Sequence, residues 1–496
     1  MANVKGFFIF VILIGLFLAT GLKSETNGQS SEHGKKYSQL VIRNVTIIDG
    51  NGTPAEGPMD VIIKDNTIQS VQFSQRDYPF KEAEKVIDGT GMYLLPGLIN
   101  LHAHIHDERG GKPIPFEYLY KLWLSCGITT VRDMGSNTAL TLLERGKSLK
   151  DSIAAPRIFL YMIAWARNPE DARKRVQEIK RLGGDGVKIF GNDRDVLEAL
   201  LDEAHRLNLP VAHHIGVEET DASDDIQLGV TSIEHWYGIP DAALHGSQDF
   251  PYYYNYGNES DRFRYAGRLW RETDPGKLKK VLQGMVEKKI AWCPTFVIYE
   301  ANRDLLRAAN QPWFKDYLHP VLEEYFVPNP LYHGSYHWNW STTDEIYWKE
   351  NYQIWMRAVR EFSRMGGLVG VGEDAGYIYM LYGFSVIREL ELHQEVGFHP
   401  LDVIRHATGD NAKILGMQDK LGRIKAGYFA DLLLIDENPL ENFKYLYPTG
   451  VMALKDGKLI RRGGVKWVIK DGIVYHAPTL LEDVKKIVNE AKKGGI

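Results

Sequence analysis

Residues 95–104, LPGLINLHAH, form a short apolar run that closes on two histidines separated by one residue. Seven further runs of the same kind follow it. They are ITTVRDM (128–134), PRIFLYM (156–162), GVKIF (186–190), LPVAHH (209–214), GVTSIEH (229–235), KIAWCPTF (289–296) and GLVGVGED (367–374). Amphipathic stretches such as EDARKRVQEIKRLG and RDVLEALLDEAHRLN lie between them. Short apolar strands alternating with such helices indicate a parallel sheet. Eight units over some three hundred residues indicate an α/β fold built on a (β/α)₈ TIM-like barrel, assigned to 96–415. An open doubly wound sheet competes, but it leaves unexplained why polar residues end so many different strands.

Outward from the barrel, both ends of the chain turn strand-rich. QLVIRNVTIIDG and MDVIIKDNTIQSVQ precede it, whereas ADLLLID, VMALKDGKLI and KWVIKDGIVYH follow it, with Asp-Gly turns at 456–457 and 471–472. These ends are expected to pair as one small discontinuous β-sandwich, from 37–95 and 416–476, followed by a docked amphipathic helix over 477–496. Two long insertions, 236–288 and 298–364, follow strands and carry Tyr252, Tyr253, Tyr254, Tyr256, Trp270, Trp313, Tyr336, Trp338, Trp340 and Trp348. They read either as an aromatic lid or substrate wall at the barrel mouth, or as residues that pack the insertions onto the barrel or make an oligomer contact.

The first thirty residues are of another kind. Lys5 precedes an apolar run from Gly6 to Leu22, and the polar stretch SETNGQSSEHGKK follows. This is the pattern of a secretory signal, so the protein is expected to be secreted or periplasmic, with an uncleaved N-terminal anchor as the alternative. The remaining composition is that of an ordinary soluble chain: 496 residues, 44% hydrophobic, 25% charged, formal net charge −5. Nothing here favours nucleic acid as a partner, no further membrane segment appears, and homo-oligomerisation is left open. Two cysteines, Cys126 and Cys293, are too few for a disulfide framework and read as buried thiols.

The chemistry lies where the strands end. His102 and His104 alternate on one strand and so face the same way, a half-site for zinc or a similar ion. His213-His214, His235 and Glu373-Asp374 close strands five, six and eight. Neighbours on a strand point to opposite sides, so one of each pair reaches the mouth. Lys188, at the end of strand four, is an odd cation beside a metal site. It fits if the amine is neutral and has taken up carbon dioxide as a carbamate, an anion able to bridge two cations; the alternative is an ion pair or a substrate contact.

PGLINLHAH, GVKIF, LPVAHHIG, GVTSIEHW, VGEDAG and the closing HATGDNAKILGM…LGRIKAGYFADLLLID together resemble the successive signatures of the amidohydrolase superfamily, in order from about Gln39 to Asp436. The likeness is greatest to its imidazolonepropionase-like and Xaa-Pro dipeptidase (prolidase)-like branch. That resemblance implies a binuclear hydrolase with two divalent ions, Zn²⁺ foremost. His102 and His104 would hold one ion, His214 and His235 the other, with N6-carboxylated Lys188 bridging and Asp374 both ligand and proton carrier. Two departures stand out: Asn100 where aspartate is common, and Glu373 where threonine is usual. Val217 occupies the position where mononuclear deaminases of the superfamily carry glutamate, which counts against deamination.

The expected reaction is attack of a metal-bridging hydroxide on the C–N amide bond of a small molecule: a dipeptide, an N-acyl amino acid or a cyclic amide. Arg132, Tyr237 and Tyr377 are candidate substrate-binding residues. Competing readings are an esterase or lactonase with the same site, and a non-catalytic scaffold or carbohydrate-binding protein on the same fold.

Overall fold

The structure, a computed structural model, describes residues 34–75, 80–216, 219–246, 248 and 250–494. The apolar run at 6–22 and Val217 lie outside the described residues. No helix among the described residues is long and apolar enough to cross a membrane.

Seven parallel strands follow one another around the barrel: β1 (Leu98–Ala103), β2 (Ile128–Met134), β3 (Arg157–Ile163), β4 (Gly186–Ile189), β5 (Val211–His213), β6 (Ser232–Glu234) and β7 (Ala291–Cys293). The eighth segment, 367–374, keeps a single bridge, Val369 to Trp292, yet it is hydrogen-bonded on both sides. Trp292 N donates to Leu368 O and Gly370 N to Trp292 O; Leu101 N donates to Val371 O and Asp374 N to His102 O. Residues 367–374 therefore close the ring between β7 and β1. Three glycines in eight residues weaken this segment as a regular strand. One of them has a local reason, since a Cβ on Gly372 would stand 2.6 Å from His102 Cβ.

The helices between strands begin and end where their sequence directs. In Pro169–Leu182, Asn168 caps the Asp171 amide, Pro169 sits in the first turn, acids open the helix, bases close it, and Gly183 ends it at φ 81°. Ala172, Val176 and Ile179 form its buried stripe against the barrel.

The two chain ends do join. Strands Lys35–Lys36, Gln39–Ile47, Glu56–Lys64, Thr67–Phe73, Lys85–Asp88 and Tyr93–Pro96 share one nine-stranded sheet with Leu432–Ile435, Val465–Lys470 and Ile473–His476. Alternation divides the load. Leu432 and Leu434 pack into the sheet's own core with Leu40 and Ile63, whereas Leu433 and Ile435 face the barrel core. Arg157, at the start of β3, forms ion pairs with Asp431 and Asp471, tying the barrel floor to the sheet.

The hairpin Val451–Lys455/Lys458–Arg462 departs from the expectation. It pairs only with itself, and Leu454 and Leu459 are exposed. The helix Ala477–Gly494 docks through Leu480, Leu481, Val484 and Val488. Both cysteines are free and buried.

Candidate metal centre

The strand ends converge on one point. His102 Nε2, His235 Nε2 and His104 Nε2 lie 3.9, 3.7 and 3.1 Å from Asp374 carboxylate oxygens. His102, His235 and Asp374 offer ligand atoms all within 4.8 Å of one another. The His214 ring lies 4.8 Å from that of His235. Two of these residues hold left-handed backbone, His235 at φ 64° and Asp374 at φ 54°. That conformation costs a non-glycine residue on the order of 1–2 kcal/mol, and it turns each side chain in from the last residue of its strand.

Both open pairs resolve. His214 lines the cavity at the barrel mouth, while His213 is buried with Nδ1 2.7 Å from Asp225. Asp374 lines the cavity, while Glu373 is buried beneath it. Glu373 accepts from Trp123 Nε1, Asn100 Nδ2 and the Gly383 and Val386 amides. Those amides open the helix Phe384–Val396, so the carboxylate at the usual threonine position joins a helix start to the barrel.

Two residues that sequence reasoning passed over orient the imidazoles. Glu234 Oε2 lies 2.8 Å from His102 Nδ1, and Thr295 Oγ1 lies 2.6 Å from His235 Nδ1. With Nδ1–H donated to these oxygens, each ring turns an unprotonated Nε2 toward Asp374, the tautomer a metal ligand requires. Glu234 is itself paired with Arg132 at 2.6 Å and accepts from Ser232 Oγ. The available signal was an acid at the end of a barrel strand, one residue before His235.

The electrostatics suit a cation. Burial and the Lys188 charge bring His102 down to about 4, so it is neutral near pH 7. Burial raises the Asp374 carboxyl, but His102, His104 and His235 outweigh it and hold the group well below the usual carboxylate range. Lys188 is wholly buried, and its Nζ has no hydrogen-bond partner among the described residues. It lies 5.0 Å over the Phe190 ring. Burial lowers it to about 8. A buried amine without a partner is costly in itself. Imidazoles gathered about one ionised carboxylate, beside an amine with no hydrogen-bond partner among the described residues, fit a divalent ion better than they fit one another.

The substrate candidates separate. Tyr237 stacks on His214 at 4.5 Å, accepts from Tyr299 OH and lines the cavity. Tyr377 lies behind the site, edge-on to His104, with its OH 3.3 Å from His106 Nε2. Arg132 does not reach the cavity: its guanidinium is fully buried and spent on Leu101 O, Ser232 Oγ and Glu234. Asp133, next to Arg132 on β2, accepts from the Ile105 and Ser136 amides.

The cavity measures about 1180 Å³. Tyr254 and Tyr256 of the first insertion line it, whereas Trp270, Tyr336 and Trp348 are buried packing and Tyr252 is fully exposed. Aromatic residues of the insertions thus both line the cavity wall and pack the insertions down.

Comparison with known proteins agrees with this fold. Bottromycin amidohydrolase superposes with a TM-score of 0.66 at 18% identity, over 92% of this chain and 91% of that one. A Xaa-Pro dipeptidase with bound methionine in the active site gives 0.58 at 20%, over 88% and 100%. At such identities the likeness is one of fold. A dihydroorotase from Thermus aquaticus is 29% identical over 184 residues, 35% of this chain and 41% of that protein, so the chain matches less than half the length of this relative. The amidohydrolase family profile matches residues 93–245 and 355–460, and most of both insertions falls in the gap between. With more than half of its length matched, the chain belongs to the amidohydrolase family.

Proposed function

We propose that the protein is a metal-dependent hydrolase that cleaves a C–N amide bond in a small molecule. The observation that carries this reading is the convergence of His102, His104, His214, His235 and Asp374 beside the buried Lys188, whose Nζ has no hydrogen-bond partner among the described residues. His102 and His104 would hold one divalent ion, His214 and His235 the other, with Lys188 carboxylated between them and Asp374 as a further ligand. The nitrogen and oxygen donors suit Zn²⁺. Ions bound there would supply Lewis acidity toward the amide carbonyl and ready activation of water at neutral pH.

The chain's own residues do the rest. Asp374 is held ionised and faces the cavity, so it can accept a proton from water and return it to the departing nitrogen. The Tyr299–Tyr237 hydrogen bond leaves the Tyr237 hydroxyl proton free to be donated toward a substrate oxygen in the cavity. Glu234 and Thr295 keep the imidazoles aligned while charge develops.

The relatives support an amide rather than an ester, being named dihydroorotase, Xaa-Pro dipeptidase and amidohydrolase. The run at 6–22 supports export, and an extracytoplasmic substrate is part of the proposal. The test is metal content per chain in purified protein, with turnover of paired amide and ester analogues, Xaa-Pro dipeptides among the amides. Two ions per chain and preference for the amide are expected. Metal-free protein with full activity, or turnover of esters alone, overturns the reading.

A further inference from the structure

From β4 outward the cavity wall is a series of rings. Tyr237 stacks on His214 at 4.5 Å, the His214 ring lies 5.5 Å from Phe190, and Phe190 stacks parallel to Trp165 at 5.4 Å with 7° between planes. Trp165 follows β3 and ends the series. One face of its indole is covered by Phe190, yet the residue is 62% exposed, so the other face is open. Among the described residues Trp165 is also the one that lines both the main cavity and a second one of about 570 Å³, bordered by the charged residues Arg167, Asp171, Lys174, Arg175 and Glu178. Trp123, Trp236, Trp292 and Trp348, by contrast, are buried. An indole held flat by one ring and left bare on the other side is a preformed stacking surface, and its ordering cost is already met.

We propose that Trp165 is a specificity-determining residue, the platform for a planar apolar group of an elongated amide whose scissile bond lies at the metal centre. The inference rests on the hydrolase reading above and refines it. The substrate class is an amide bearing an aromatic ring a short linker away from the C–N bond. The cavity is larger than a dipeptide needs: about 1180 Å³, where pockets that bury a drug-sized ligand measure roughly 300–1,000 Å³. A substrate that overruns the main cavity crosses Trp165 onto the second shelf, whose border carries both signs of charge.

The test compares glycine amides with acetyl, 3-phenylpropanoyl and 6-phenylhexanoyl groups, in the wild type, Trp165→Ala and Trp165→Phe. Calorimetric binding of 6-phenylhexanoate to the metal-loaded enzyme accompanies it. The expected result is at least a tenfold fall in the phenylalkanoyl-to-acetyl ratio of kcat/KM in Trp165→Ala, mainly through KM, with Trp165→Phe restoring most of it. The acid should bind the wild type at least tenfold more tightly than Trp165→Ala. Equal loss on all amides, or no change in ratio and in acid binding, overturns the platform. If no amide is turned over by the wild type but the acid still distinguishes wild type from Trp165→Ala, the platform stands and the hydrolase reading falls.

Discussion

The Asn100 side-chain amide donates to the Glu373 carboxylate at 3.0 Å. The two positions at which this chain departs from the signatures it resembles are therefore in contact, and a carboxylate has in effect crossed from one to the other. Asn100 Oδ1 also accepts from the His102 and Glu373 amides, so the pair supports the backbone of a ligand strand on each side. A double-mutant cycle of Asn100→Asp and Glu373→Thr, followed by chemical denaturation at fixed metal concentration, should show coupling. Glu373→Thr strands buried donors at about 1–3 kcal/mol each, and the double variant should recover about 0.5–3 kcal/mol relative to additivity. Additive effects would dissolve the pair.

Lys188→Ala should lower bound metal from two ions per chain to one or fewer, with activity down by at least about a hundredfold. Metal analysis and single-turnover assays read both. Retention of two ions and of turnover would mean that the buried amine has a different task.

Glu234→Gln keeps the shape of the residue but removes the charge that pairs with Arg132 and fixes His102. Chelator titration should show metal affinity weakened by about 10- to 100-fold. Unfolding should show a loss of roughly 3–5 kcal/mol from the uncompensated Arg132. A stability loss with metal affinity intact would reduce Glu234 to a partner of Arg132 alone.

His337 is buried between Ser335 Oγ and Asn302 Oδ1, each 2.9 Å away, and burial lowers it to about 3. Above pH 6.5 it is neutral both folded and unfolded and adds no pH dependence. Below that, the unfolded chain takes up the proton first, so stability falls with pH by about 1.4 kcal/mol per unit until the folded group also titrates near 3. His337→Gln should flatten the slope measured between pH 6 and 4; an unchanged slope assigns the acid loss to other groups.

The periodic features of the fold were legible in the sequence. Eight apolar runs announced the barrel, and the alternation of His102 with His104 told which way they face. Long-range partnership was not legible. Arg132 looked like a substrate donor because the residue that neutralises it, Glu234, lies a hundred positions further on. Glu234 itself was overshadowed by His235, since alternation assigns neighbours to opposite sides and takes no account of the left-handed turn at His235. The hairpin at 451–462 reads like the strands around it, but both its faces are largely polar or exposed and give the sheet nothing to bury. Lys188 was readable as an anomaly of charge; that its amine has no partner is visible only in three dimensions.

Strand Tyr93–Pro96 runs almost directly into β1, the strand that carries His102 and leads into His104, and along its length it is paired with Leu432–Ile435. A nascent chain therefore makes its first barrel strand long before the segment that will clasp the stem of that strand exists. Pairings this distant in sequence slow folding, because the loop must close before the contact rewards it. Assembly of the ring thus waits on its tail: a chain stopped short of residue 432 would own every ligand and still lack the clasp that sets two of them in place.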